Sequence, residues 1–211
     1  PQVRDEVTYE LVAEYASVMW KAFGADDPAA ALRASQTPPV FVYRFDWDEE
    51  PRILGADLSR IIGAAHGFEI PFVFGHFDLG EAGNILFTDD NAPGRHALSA
   101  ALMSYWAEFA YNGQPQQGRT GTLPTWGAWD NDALDTPQLL LLDTEADGGV
   151  RMAQMAVTQA EVLAAIETDE RLPTQRDKCM ILRELAGRGR GITPREYRAN
   201  PACTAHPFDT Y

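Results

Sequence analysis

Residues 40–45 read VFVYRF, a run of β-branched and aromatic side chains with the length of one β-strand. Residues 138–143 read QLLLLD and form a second apolar run of the same length. Because both runs are apolar almost throughout, they predict interior strands of a sheet whose faces are covered. Between them, apolar residues at helical spacing from Leu98 to Phe109 predict a helix with a core-facing aromatic stripe, which ends at Asn112-Gly113. A helix between two such strands indicates an α/β protein.

Helices are also predicted on both sides of this strand–helix–strand segment. Apolar residues recur at helical spacing from Leu11 to Phe23, and Asp27 is expected to cap a second, short helix. Thr158 begins a capping-box pattern, and further helices are expected to open at Thr174 and Thr193. The pattern predicts a mostly helical extension at the C-terminal end.

The predicted elements divide the chain into a mixed α/β portion, residues 1–152, and a helical extension, residues 153–211, packed on the same domain. Two strands are too few for a free-standing sheet, which needs at least three strands or good cover. The chain also begins with Pro1 rather than Met. We therefore expect it to be a piece of a larger protein.

Composition limits the classes of partner. The 211 residues include 17 Lys and Arg against 31 Asp and Glu, which gives a formal net charge of −14. This acidity argues against nucleic acid, whose phosphates need clustered cationic side chains, and against an anionic membrane surface. No segment approaches the ~20 apolar residues of a membrane-spanning helix. The acidic run at residues 46–50 is expected to be a solvated loop.

The two cysteines, Cys179 and Cys203, are too few for a disulfide scaffold or a zinc site. Two ordinary thiols are the simpler interpretation, and they favour a cytoplasmic protein. A single disulfide across the C-terminal segment is the alternative if the protein is exported. The sequence therefore leaves the compartment open.

His66 is the side chain that most strongly suggests chemistry. It lies between small residues, Gly63-Ala64-Ala65 before it and Gly67 after it, downstream of the first predicted strand. Small neighbours allow the backbone to turn sharply and can leave an imidazole exposed at a cleft. The local sequence is equally compatible with a histidine that packs beside glycine in the core or on the surface.

The segments around His66 resemble the C-terminal part of the type B carboxylesterase (cholinesterase-like) family of α/β-hydrolases. The similar segments, in the family's order, are Val42–Trp47, Gly63–Gly75, Leu98–Ser99, Met103–Pro115, Pro124–Trp126 and Leu139–Leu142. The resemblance covers about residues 9–152, and the order and spacing of the segments make it specific. It implies the C-terminal portion of an α/β-hydrolase fold, in which the two predicted strands are late strands of a large sheet.

The resemblance also implies a reaction, the hydrolysis of small-molecule carboxylic esters without a cofactor or metal. His66 matches the catalytic histidine of the family's Gly-x-x-His-Gly-x-Glu motif, and Glu69 matches a buried carboxylate beneath the active site. An ester hydrolase needs a base that titrates near neutrality, which takes the proton of a serine and returns it to the leaving alkoxide.

The nucleophile of that reaction is absent from this chain. The Gly-x-Ser-x-Gly elbow that carries the nucleophile does not occur, because no serine has glycine two positions before it and two positions after it. The serines of the chain are Ser17, Ser35, Ser59, Ser99 and Ser104. There is no His-Gly-Gly-Gly oxyanion motif either. In α/β-hydrolases the triad runs serine, acid, histidine along the chain. A C-terminal segment therefore keeps the histidine, and the serine is expected in a missing N-terminal part of the same hydrolase.

The acid of the triad is open. Arg4-Asp5-Glu6-Val7 resembles the family segment whose glutamate orients the histidine, which would make Glu6 the acid. However, only 60 residues separate Glu6 from His66, a short interval for the family, and Pro1-Gln2-Val3 replaces the usual Gly-Thr-Asn. We favour the interpretation that Asp5 caps a helix and Glu6 is a first-turn carboxylate.

Two rival functions remain at this point. The chain could be an inactive, truncated remnant of a hydrolase that acts only as an interaction module. It could also be a metal-dependent hydrolase that uses His66 and Glu69 as ligands, although no further His or Cys spacing supports such a site. The remaining histidines, His76, His96 and His206, are expected to be solvated.

Overall fold

Helices and strands are described over residues 6–133 and 135–208 of this computed structural model, and they fall into two units. The mixed unit comprises residues 36–155, and the helical unit joins residues 6–35 to residues 156–208. The elements in chain order are α1 (Glu6–Lys21), α2 (Asp27–Ser35), β1 (Tyr43–Phe45), β2 (Arg52–Ile53), β3 (Ala56–Asp57), α3 (Leu58–Ile61), α4 (Glu69–Phe74), α5 (Glu81–Leu86), α6 (Ala92–Asn112), β4 (Leu139–Leu142), β5 (Arg151–Ala153), α7 (Gln159–Thr168), α8 (Gln175–Gly187) and α9 (Pro194–Ala199). Residues 6–35 group with the C-terminal helices, and the predicted domains, residues 1–152 and 153–211, stay a prediction. The packing of the helical unit on the same domain stays a prediction.

The sheet of the mixed unit contains both predicted strands. β1 and β4 are parallel neighbours, with Tyr43 opposite Leu140 and Phe45 opposite Leu142. All four leucines of β4 are buried, as expected for an interior strand. β1 is half-buried and, among the described residues, pairs with β4 alone, so it lies at the edge of this sheet. The antiparallel β5 on the other side of β4 was not predicted, because a strand that begins with exposed Arg151 has no apolar run.

Aromatic side chains form the core of the mixed unit. Trp47 and Phe72 are fully buried, with ring centroids 5.3 Å apart. Trp126 packs against Tyr105 at 5.4 Å, and its indole N–H donates a hydrogen bond to the carbonyl oxygen of Val42 at 3.1 Å. The core therefore joins β1 to the long helix α6.

The helix predicted between the strands is confirmed as α6. It ends as expected, because Gly113 takes the left-handed conformation, with φ of 71°. The aromatic stripe is only partly in the core, since Phe109 is 49% exposed, in contrast to the fully buried Tyr105. Within the described ranges no helix, α6 included, is both long and apolar enough to cross a bilayer.

The N-terminal helices of the helical unit differ from the prediction. α1 continues through a π-helical turn, Ala22–Asp26, directly into α2, so the two are not separate capped helices. Asp27 has helical backbone angles and is not a cap. The turn directs Asp26 inward, where it pairs with Lys21 and accepts a hydrogen bond from the backbone N–H of Val157 at 2.9 Å. The hydrogen bond to Val157 joins residues 131 apart in the chain, and no local stop signal encodes it.

The C-terminal helices begin where the sequence predicts. Thr158 forms the predicted capping box with Glu161, and Thr174 and Thr193 cap α8 and α9 in the same way. The interpretation of the cysteines as two thiols is wrong, because Cys179 and Cys203 form a disulfide. The disulfide forms because α8 packs against the short helical turn at Pro201–Cys203. The two cysteines are 24 residues apart in the chain, and this spacing alone does not predict that contact.

Candidate active site

His66 lies on a tight turn between α3 and α4. Gly63 and Gly67 have φ values of 53° and 89°, which are left-handed conformations that favour glycine. The turn, residues 63–68, is closed by hydrogen bonds from the Ala65 N–H to the Gly63 carbonyl (2.6 Å) and from the Phe68 N–H to the Ala65 carbonyl (3.1 Å). His66 is exposed at its tip. The prediction that small residues let the backbone turn sharply at His66 is confirmed, whereas the role of the exposed imidazole stays a prediction.

Helix α4 holds this His66 turn on the core of the mixed unit. Phe72 is fully buried, and its carbonyl oxygen accepts a hydrogen bond from the Ser99 hydroxyl of α6 at 2.7 Å. Gly75 ends α4 in the left-handed conformation, close to Met103 of α6. The turn is thus anchored on one side by the packing of α4 against α6.

Glu69, three residues after His66, begins α4 and is half-buried. Burial first, and the charge of Glu69 second, raise the pKa of Tyr43 in β1 above its ordinary value. Glu69 is therefore less exposed than His66, and its charge acts on β1.

The other candidate ligands and acids lie elsewhere. Among the described residues, the only group of three or more metal-ligating side chains that converge is Asp48, Glu49 and Asp147, which includes neither His66 nor Glu69. Glu6 begins α1 in the helical unit, as a first-turn residue should. Its side chain, and the whole of Asp5, lie outside the described residues.

The acidic run at residues 46–50 is not the solvated loop that the sequence predicts. Glu50 is 5% exposed, and Asp143, which follows β4, is 8% exposed. Burial, with smaller contributions from neighbouring carboxylates, raises the pKa of Glu50 to about 7 and that of Asp143 to about 6. The sequence contains one signal for these buried acidic residues. Glu50 follows one predicted strand and Asp143 ends the other, and residues at the ends of neighbouring parallel strands meet at the same edge of the sheet.

The sequence profile of the carboxylesterase family matches residues 5–160, about three quarters of the chain. The chain belongs to the carboxylesterase family. Membership implies the α/β-hydrolase fold, and the small mixed sheet packed with helices is consistent with part of such a domain.

Individual carboxylesterase-family relatives match over a limited length. Carboxylesterase 4A of Bos taurus is 33% identical over 117 residues, 55% of this chain and 18% of the relative. Acylcarnitine hydrolase of Rattus norvegicus is 32% identical over 118 residues, 56% of this chain and 19% of the relative. Acetylcholinesterase of Bungarus fasciatus is 36% identical over 112 residues, 53% of this chain and 16% of the relative. The chain therefore spans about a fifth of the length of the curated relatives it matches.

Proposed function

We propose that this chain is the C-terminal segment of a serine carboxylesterase and that His66 is the catalytic base. The observation that carries the proposal is the His66 turn itself. Two left-handed glycines expose the imidazole, and α4 fixes the turn on the core through Phe72 and Ser99. A base that approaches a serine supplied by another part of the protein needs both exposure and a rigid support.

The proposed reaction divides ester hydrolysis into two steps. A serine hydroxyl from the N-terminal part attacks the ester carbonyl while His66 accepts its proton. The tetrahedral intermediate collapses to an acyl-enzyme, and the His66 imidazolium gives the proton to the leaving alkoxide. Water then attacks the acyl-enzyme with His66 again as base, which releases the carboxylic acid and restores the serine.

Glu69 is proposed to position the histidine rather than to touch substrate. It is half-buried at the start of α4, and its charge acts on Tyr43 of β1. A half-buried carboxylate three residues after His66 would limit the orientations open to the turn. The acid of the triad is proposed to lie upstream, with Glu6 as the disfavoured alternative.

Two features of the mixed unit support an origin in a larger hydrolase. β1 has a sheet partner on one side only among the described residues, so a further strand can pair with its other edge. Large apolar side chains of this unit are strongly exposed, among them Phe74 (74%) and Tyr111 (75%). Both features suit a surface that receives the remainder of an α/β-hydrolase domain.

The absence of a Gly-x-Ser-x-Gly elbow from the 211 residues keeps one alternative open, an inactive remnant that acts as an interaction module. The coding sequence directly upstream of Pro1 separates the two. An in-frame Gly-x-Ser-x-Gly supports the esterase, whereas a stop codon followed by a start codon supports the remnant.

The test of the esterase proposal is His66→Ala in the longer polypeptide that contains the serine elbow. We expect kcat/KM for a p-nitrophenyl ester to fall by about 1,000-fold or more, because the serine loses its base. The far-ultraviolet circular dichroism spectrum should be unchanged, since His66 is exposed. The matched control is His76→Ala, an exposed histidine just after α4, which should keep the wild-type rate. Near-wild-type hydrolysis by His66→Ala would contradict the assignment.

A further inference from the structure

The helical unit ends in a short segment that buries little of its own surface. This C-terminal strap, residues 201–208, follows α9 and begins with the helical turn Pro201–Cys203. Among its residues only Cys203 is buried, and the others are half-buried or exposed. Burial of so little side-chain surface does not offset the backbone entropy that is lost when a segment is ordered. The strap therefore needs a further attachment.

The disulfide between Cys179 and Cys203 supplies this attachment. Cys179 lies in α8, and both cysteines are buried. They belong to the apolar core that α8 shares with α1, which also contains Met19. The disulfide therefore connects the strap to the core of the helical unit.

The strap also contacts α9, but these contacts are local in the chain. The Tyr197 hydroxyl donates a hydrogen bond to the carbonyl oxygen of His206 at 2.6 Å, and the ring centroids of Tyr197 and Phe208 lie 5.5 Å apart. The Arg198 guanidinium lies over the Phe208 ring at 5.1 Å. The disulfide, in contrast, joins residues that are 24 apart, so it is the covalent link that fixes the strap on α8.

We propose that the Cys179–Cys203 disulfide is a permanent latch that holds the C-terminal strap on α8, and that this protein works in an oxidising compartment. Formation of the latch removes two protons and two electrons from the two thiols, and the acceptor is a disulfide-bearing oxidant that is reduced to a dithiol. Oxidising compartments supply such oxidants, whereas cytosolic thiol systems keep cysteines reduced. The proposal is independent of ester hydrolysis by His66.

Burial of both cysteines makes the latch permanent once it has formed. Reduction requires a thiolate to attack one of the two sulfur atoms, so its rate depends on access to them. In the folded chain a reductant reaches the disulfide only when the strap opens. Both cysteines also lie beyond residue 160, where the match to the carboxylesterase family ends, so the latch belongs to the C-terminal extension.

The compartment is tested on the protein in the cells that make it naturally. The cells are quenched in acid, free thiols are blocked with N-ethylmaleimide under denaturing conditions, and the peptides that contain Cys179 and Cys203 are measured by mass spectrometry. We expect neither cysteine to carry the reagent until dithiothreitol has reduced the disulfide and has itself been oxidised. Labelling of both cysteines before reduction would overturn the proposal.

The latch is tested by comparing the oxidised and the reduced 211-residue chain. Reduction should lower Tm by about 6 °C or more, because a closed loop no longer constrains the unfolded chain. Chymotrypsin should cut after Phe208 about tenfold faster or more once the strap is released. Cutting after Tyr111, which is exposed in the mixed unit, should keep its rate. Equal Tm values, or equal cutting after Phe208, would overturn the latch.

The matched control is Cys203→Ala, which lacks the latch in either redox state. Dithiothreitol should lower the Tm of the wild-type chain but not that of this variant. A fall in Tm of the same size in both proteins would show that the reductant acts elsewhere, and would overturn the proposal. Circular dichroism checks that the variant is folded.

Discussion

Asp169 shows how one side chain can join distant parts of the helical unit. Its carboxylate accepts a hydrogen bond from the Tyr15 hydroxyl at 2.7 Å and another from the Arg171 guanidinium at 2.8 Å. Arg171 also binds both oxygens of Glu14, at 2.8 and 2.9 Å. Hydrogen bonding to Arg171, and then to Tyr15, holds the pKa of Asp169 well below its usual range. Burial, with hydrogen bonding to Asp169, raises the pKa of Tyr15 to about 12.

Asp169→Asn should therefore destabilise the chain in a pH-dependent way. The pKa of the Asp169 carboxyl is lower in the folded chain than in the unfolded chain, where it is about 3.9. The carboxylate therefore stabilises the fold fully above about pH 3.9. This stabilisation is lost as the pH falls towards the pKa of the folded chain. We expect Asp169→Asn to lower Tm by about 3 °C at pH 7 and by progressively less below pH 3.9. Calorimetry between pH 2 and 7 measures this. Glu170→Gln, at the exposed next residue, should leave Tm unchanged; a Tm difference for Asp169→Asn that does not depend on pH would contradict the account.

Single residues differ in how well the sequence predicts their surroundings. Gly63 and Gly67 have no side chain at the points where the backbone turns, so the sequence predicts that a sharp turn is possible at His66 but not whether the imidazole is exposed. Glu50 was expected in solvent, but it is buried, as is Asp143 after β4. Charge predicts exposure only on average. Burial of these two depends on the meeting of segments that are separated by more than 90 residues, which a local pattern does not encode.

Helices with local signals are the best-predicted elements. α6 and the capped helix α7 were predicted from apolar spacing and from the capping box of Thr158, signals that act within a few residues. The π-helical turn at Ala22–Asp26 and the strand β5 were missed, because a hydrogen bond to Val157 and pairing with β4 stabilise them. Both interactions join residues far apart in the chain, so the nearby sequence does not predict them.

The two glycines around His66 allow a matched test of the turn. An alanine at either position adopts a left-handed backbone, which destabilises by roughly 1–2 kcal/mol. At Gly63 the added Cβ would also lie 2.9 Å from the carbonyl oxygen of Ser59, whereas at Gly67 it meets nothing within 4 Å. Urea unfolding should therefore show a larger loss of unfolding free energy for Gly63→Ala than for Gly67→Ala. Equal losses would show that the turn is not packed as described.

At the scale of the whole molecule, family and fold class follow from the sequence, whereas the division into units does not. The segments from Val42 to Leu142 resemble the carboxylesterase family in order and spacing, and the match of the family profile to residues 5–160 confirms the family. The sequence pattern does not predict that residues 6–35 group with the C-terminal helices. The grouping arises from packing of α1 against α7 and α8, and from buried residues such as Met19 and Ile181.

We propose that this chain supplies the histidine of an esterase but not its nucleophile. The decisive experiment is hydrolysis of a short p-nitrophenyl ester by the purified 211-residue chain, measured beside its His66→Ala variant. We expect the same background rate for both, because no serine elbow is present for His66 to activate. Turnover by the wild-type chain that disappears in His66→Ala would contradict the claim, because it would show that these 211 residues contain a nucleophile of their own.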